Sequence, residues 1–344
     1  MNLKTSFDIN QSTIYIDVRS ESEFEQGHII GAINMPILND EERHIVGHCY
    51  KNKSVEEAKR LGLTYASHKV VQFFDLISEI KADQPESHIF FYCARGGFRS
   101  RSITYLLSSI GVDVKYIEGG YKTYRQHVLS YLEKPSNYPE FIMLHGFTGV
   151  GKTEILKALE ASKKPILDLE GLANHKGSHL GAIGTNEKQS QQLFENGIYH
   201  HLAHLKASYC FIESESKRIG NVFVPKILFG KMREGQHILI KRDMPFRVSS
   251  LCDEYCRSDN FKKLVEPALL KIKKYLSKQV FEELENALKQ EQYALFAELL
   301  LIHHYDPIYL KSINNYIYPM TFNANHVEKV TREISEWYDL IQSN

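Results

Sequence analysis

The run Gly146-Phe147-Thr148-Gly149-Val150-Gly151-Lys152-Thr153 restricts the choice of fold more than any other stretch of the chain. It follows an apolar segment, residues 141–145, that reads as a strand, and precedes residues 154–162, whose spacing suits a helix. A glycine-rich loop in that position is a phosphate-binding loop. Amides around Gly146, Gly149 and Gly151 wrap a di- or triphosphate, Lys152 neutralises it, and Thr153 is placed to hold Mg²⁺. Such a loop needs parallel strands beside it. Residues 165–169, 208–215 and 236–241 supply three. The strand ending at residue 215 carries Glu213 and Glu215, either of which can support the metal as the acid of a phosphate-loop sheet. Asp168, Glu170, His175 and Lys176 follow the strand before it, at the end where parallel sheets open toward ligands.

The N-terminal part holds a second strand–loop–helix unit with different chemistry. Residues 89–92 form a short aromatic strand, then come Cys93-Ala94-Arg95-Gly96-Gly97-Phe98-Arg99-Ser100 and a helix to residue 111. Cys93 is thereby delivered beneath a helix N-terminus, where free amides and the helix dipole favour an anion. Gly96 and Gly97 can both take positive φ, so the amides of Gly96, Gly97 and Phe98 are expected to form an anion cradle. With Arg95 and Arg99 nearby, Cys93 is expected to be a thiolate nucleophile. An inert buried thiol is the usual fate of a free cysteine, but such cysteines rarely precede Gly-Gly between two arginines.

A length of 344 residues suits two domains with an extension. We divide it into residues 1–133, a linker at 134–139 marked by Pro135 and Pro139, a phosphate-loop domain at 140–258, and a mainly helical region at 259–344. Lys+Arg and Asp+Glu both number 42, so no global basic excess announces a nucleic acid, although a local basic face can hide in a neutral total. Five cysteines without a secretory signal read as reduced thiols in a cytoplasmic protein. No stretch approaches membrane-spanning length, so no membrane partner is expected.

The stretch from Asp17-Val18-Arg19-Ser20, with Ser20 and Glu23 set as a capping box, through Gly27-His28 to Asn34-Met35-Pro36 resembles the rhodanese signature. Val112 to Tyr121, with its Gly119-Gly120 turn, resembles that family's last strand. Residues 37–69 are an insert unusual for a rhodanese; its Arg43, His48, Lys51, Lys53, Lys59 and Arg60 make it either a solvated helical hairpin or a substrate-shaping element.

A rhodanese-like domain followed directly by a phosphate-loop domain resembles the bacterial tRNA 2-selenouridine synthase family. Asp168-Leu169-Glu170-Gly171-Leu172-Ala173-Asn174-His175-Lys176, Gln189 to Asn196 and Glu213 to Gly220 carry the likeness further. The fold implied is α/β in both domains with a helical C-terminal region. The function implied is a two-step change at the wobble uridine of tRNA: 2-thiouridine is S-geranylated with geranyl diphosphate, and selenium from selenophosphate then displaces the alkylated sulfur. No organic cofactor is implied, with Mg²⁺ as a candidate ion. In this reading Cys93 either receives selenium or attacks the modified ring, and the phosphate loop grips the diphosphate of geranyl diphosphate. Tyr50, Phe98, Tyr121, Lys122, Tyr124 and Arg125 are candidates to stack on or steer the unstacked base.

Two rivals stand beside it. Cys93-x5-Arg99 has the spacing of a phosphatase loop, and a rhodanese-fold phosphatase or sulfurtransferase coupled to a phosphate-loop NTPase fits the same motifs. His200, His201 and His204 share a helical face, and Cys252 and Cys256 lie one turn apart, but neither set completes a metal site, so surface and packing roles are expected.

Overall fold

The computed structural model describes residues 12–175, 189–255 and 261–342. The chain divides into two compact units: residues 1–134 with 190–204, and residues 135–189 with 205–344.

The first unit is built on a four-stranded parallel sheet of order β2-β1-β3-β4. Its elements run β1 (Thr13–Asp17), α1 (Glu21–Gln26), β2 (Ile33–Asn34), α2 (Asp40–Asn52), α3 (Val55–Ser67), α4 (Val70–Asp83), β3 (His88–Tyr92), α5 (Phe98–Ser109), β4 (Val114–Tyr116) and α6 (Gly120–Leu132). β3 lies between β1 and β4, and Ile89, Phe90, Phe91 and Tyr92 are all buried, so its apolar run is covered on both faces, as fits a parallel sheet. Ile16, Phe73, Phe91, Ile103 and Leu107 are among the side chains that close its core. The insert at residues 37–69 is largely helix: α2 and α3 form a hairpin capped by Asn39 and Ser54. Ser20 and Glu23 form the expected capping box of α1.

The second unit continues with β5 (Glu140–His145), α7 (Lys152–Ala161), β6 (Ile166–Leu167) and α8 (Leu169–Leu172). Next in the chain is α9 (Gln191–His204), which packs with the first unit rather than with the sheet that flanks it in sequence. Arg125 on α6 bonds the Asn196 and Glu195 side chains, Asn196 Nδ2 donates to Tyr121 Oη and to the His28 carbonyl, and Tyr199 packs edge-on against Tyr124, His127 and Tyr131. The bounds read from the sequence keep residues 140–258 together; in the structure α9 presents its polar and aromatic anchors to α6.

The chain then gives β7 (Tyr209–Glu213), the small hairpin β8 (Arg218–Ile219) and β9 (Val222–Phe223), α10 (Lys226–Glu234), β10 (Gln236–Lys241), α11 (Met244–Tyr255), α12 (Phe261–Ile272), α13 (Lys278–Lys289), α14 (Tyr293–Leu300), α15 (Asp306–Ile313), β11 (Met320–Asn323) and α16 (Val327–Gln342). The sheet is parallel with order β11-β10-β5-β7-β6. The region after residue 259, expected to be mainly helical, therefore returns a strand to the sheet edge. Phe322, Val330, Ile334 and Tyr338 share one core with Ile142, Leu144 and Phe211. Helices α12 to α14 form their own cluster around Phe261, Val265, Leu284 and Phe296. Among the described residues no helix is long and apolar enough to cross a membrane.

Candidate functional site

Cys93 follows the C-terminal end of β3, and α5 begins five residues later. Its sulfur accepts hydrogen bonds from the Gly97 amide at 3.2 Å and from the Ser100 hydroxyl at 3.2 Å. The thiol is 3% exposed and borders the apolar core through Ile16, Val18 and Phe91. Two polar donors at the sulfur distinguish it from an inert core cysteine, which would have none to offer an anion. Ser100 was not singled out from the sequence, although it ends the same motif. A residue seven positions on meets the sulfur only because the first turn of α5 folds back over it.

The loop is held by backbone, not by side chains. The amides of Tyr121 and Lys122, at the start of α6, donate to the carbonyls of Cys93 and Ala94 at 2.9 and 3.0 Å. A Cβ at Gly120 would lie 2.1 Å from the Cys93 carbonyl oxygen, and one at Gly96 would lie 2.6 Å from the Ile117 oxygen, so both positions need glycine. Gly96 takes φ +60°, whereas Gly97 sits at −95°. The expected double turn through positive φ is thus a single one, and the Gly97 amide makes the contact to sulfur.

The arginines behave differently from their sequence reading. Arg95 is exposed. Arg99 forms a two-pronged pair with Glu23, at 2.6 and 3.1 Å, and Glu23 also receives Arg43 Nε at 2.9 Å. Burial disfavours charge on Glu23, but the Arg99 hydrogen bond and the Arg99 and Arg43 charges outweigh it and hold the carboxyl below its usual range. Arg99 is committed to that carboxylate, which weighs against a phosphatase loop, where the arginine clasps the phosphate. Of the candidates for stacking on a base, Phe98 is 81% and Tyr50 61% exposed, and Lys122 is exposed, while Tyr121 and Tyr124 are core residues and Arg125 is tied to α9.

In the second unit, β5 delivers the phosphate loop at the centre of the sheet. Gly149 and Gly151 take φ +79° and +85°, and Gly151 caps α7. Lys152 Nζ donates to the carbonyls of Gly146 at 3.2 Å and Phe147 at 3.5 Å, so the ammonium folds over the loop. Thr153 reaches the Glu213 carboxylate with its hydroxyl.

Ligand atoms of Glu170, Glu213 and Glu215 lie within 4.8 Å of one another. Burial, then mutual repulsion, pushes Glu170 up to about 8 and Glu213 and Glu215 up to about 7, despite the nearby Lys152 charge. Glu213 is 3% exposed, and its Oε1 is buried without a hydrogen-bond partner among the described residues. Three hard oxygen donors that repel one another, one of them orphaned, fit Mg²⁺ beside Thr153. Asp168 lies apart in role: its Oδ1 accepts the Gly171 amide at 2.8 Å and caps α8. His175 packs against Gly220, and Lys176 lies outside the described residues. Cys256 does too, and the rings of His200 and His204 lie tilted against each other along α9.

The class defined by these two units is a rhodanese-like domain joined to a phosphate-loop domain on one chain. A family model described as "Rhodanese-like domain" matches residues 3–127, and one described as "tRNA 2-selenouridine synthase AAA domain" matches residues 139–339. Relatives named tRNA 2-selenouridine synthase include those of Shewanella frigidimarina (strain NCIMB 400), 32% identical with 94% of this chain and 93% of the relative covered, and Marinobacter nauticus (strain ATCC 700491 / DSM 11845 / VT8), 33% identical with 86% of each. The relative from Nitrosomonas europaea (strain ATCC 19718 / CIP 103999 / KCTC 2705 / NBRC 14298) is 31% identical, with 88% of this chain and 89% of its own length covered. The chain belongs to the tRNA 2-selenouridine synthase family.

Proposed function

We propose that the protein replaces the sulfur of 2-thiouridine at the wobble position of tRNA with selenium, in two substitutions. In the first, the thione sulfur attacks C1 of geranyl diphosphate, the C–O bond breaks and diphosphate leaves. A thione is a poor leaving group, but the alkylated sulfur departs as a thiol, which prepares C2 of the ring for exchange.

The second substitution falls to Cys93. Its thiolate adds at C2 and geranylthiol leaves. The selenium of selenophosphate then displaces Cys93 at the same carbon, and water takes the phosphate from selenium. Each event moves one electron pair and needs no oxidant. The alternative, selenium transfer onto the cysteine as a perselenide, demands a two-electron oxidation of selenium that selenophosphate does not supply. The contacts of the Gly97 amide and Ser100 hydroxyl with the Cys93 sulfur carry this reading, because they stabilise a thiolate both before attack and after expulsion.

The phosphate loop grips the diphosphate of geranyl diphosphate. Gly146, Gly149 and Gly151 allow close approach of the backbone, and Lys152 neutralises the departing group. Mg²⁺, held by Glu170, Glu213, Glu215 and Thr153, would when bound supply further positive charge for that diphosphate. Nucleoside mass spectrometry of tRNA treated with the Lys152→Ala protein tests the assignment. Loss of S-geranyl-2-thiouridine is expected; geranylation that survives while selenation fails would give the loop to another phosphate.

A further inference from the structure

Arg242 is the first residue beyond the C-terminal end of β10, which pairs directly with β5, the strand that feeds the phosphate loop. Its backbone is fixed from both sides: the Ala324 amide donates to the Lys241 carbonyl at 2.7 Å, and the Asp243 amide donates to Asn325 Oδ1 at 2.9 Å. Its Nη1 lies 3.1 Å from where a Cβ on Gly151 would stand, so the guanidinium rests against the last glycine of the loop and the N-terminus of α7.

A guanidinium in such a place should be fully paired, because burying a charge with idle donors is costly. Arg247, which also reaches the loop, obeys that rule: its Nε donates to the Thr148 carbonyl at 2.9 Å, and its two other nitrogens take the Asp306 carboxylate. Arg242 does not. Its side chain is 10% exposed, its Nε is buried without a partner among the described residues, Nη1 donates to Ser250 at 2.7 Å, and its ion pair with the half-exposed Glu154 is loose at 3.7 Å.

From this contrast we infer that Arg242 is a ligand for the phosphate groups held by the loop, beside Gly151 and the N-terminus of α7. Arg247 is the brace that fixes the loop. A diphosphate is the matching partner: its oxygens accept from the orphaned Nε–H while the loop amides and Lys152 take the others. Ser250 aims the guanidinium. The inference rests on the reading that the loop holds a diphosphate.

The test is calorimetric titration of the full-length protein and its variants with inorganic diphosphate, and with geranyl diphosphate and ADP to separate a prenyl from a nucleotide source. Arg242→Gln is expected to weaken binding on the order of 10- to 100-fold, the worth of a hydrogen bond to a charged group. Arg242→Lys should restore part of the loss, since it keeps the charge without the planar fork. The unfolding midpoint of each variant without ligand should match the parent. Parent-like binding by Arg242→Gln, with Lys152→Ala defective, would overturn the role of Arg242 and leave the loop's reading intact. Failure of the parent to bind any of the three would remove both.

Discussion

Glu23 holds two arginines from different elements, Arg99 on α5 and Arg43 on the inserted α2. Replacing it with Gln leaves two like charges side by side, and the expected result is a mobile Arg99 and slower selenation with tRNA binding retained, read as a fall in kcat at near-constant KM. Ser100→Ala removes one of the two donors at the Cys93 sulfur and should slow selenation on the order of 10- to 100-fold while geranylation is untouched. In the other unit, buried His145 bonds its Nε2 to Nδ1 of His237 at 2.8 Å among the rings of Tyr316 and Tyr318. Burial, then the neighbouring His237 and Lys152 charges, depresses His145 from 6.5 to about 3. The unfolded chain therefore takes up a proton below about pH 6.5 that the folded chain refuses until near pH 3. Stability should be full above pH 6.5 and fall on acidification through that window. His145→Gln, which keeps a donor at the end of the side chain, should flatten the decline in denaturant titrations across pH.

The elements around both sites were legible because a short apolar strand, a glycine turn and a helix are a local pattern. Cys93 beneath α5 and Lys152 at the start of α7 follow from that pattern alone. What depended on distant partners was not legible. Arg99 meets Glu23 across 76 positions, and nothing in the cysteine loop announces it. β11 escaped notice because Met320–Asn323 is four residues long, too brief to stand out against the helical spacing on either side. The sequence of helix α9 says only that it is amphipathic, not which surface it covers. Arg125 anchors it through Glu195, Asn196 and the Gln192 carbonyl. Arg125→Ala should cost about 2 kcal/mol and speed hydrogen exchange of the α9 amides more than those of β3.

The whole chain passes between its two compact units three times, at residues 134/135, 189/190 and 204/205, so neither is a contiguous piece that can be cut away. Each unit carries one half of the proposed chemistry, the thiol in the first and the phosphate loop with its carboxylates in the second. The acidic cluster predicts that millimolar Mg²⁺ stabilises the parent and not Glu213→Gln, by about 3 kcal/mol of unfolding free energy when the ion is at 100 times its dissociation constant. The division of labour is tested most directly by nucleoside mass spectrometry of 2-thiouridine tRNA incubated with geranyl diphosphate, selenophosphate and the Cys93→Ala protein. The account predicts that S-geranyl-2-thiouridine accumulates and 2-selenouridine does not form. Full conversion to 2-selenouridine by Cys93→Ala would contradict it.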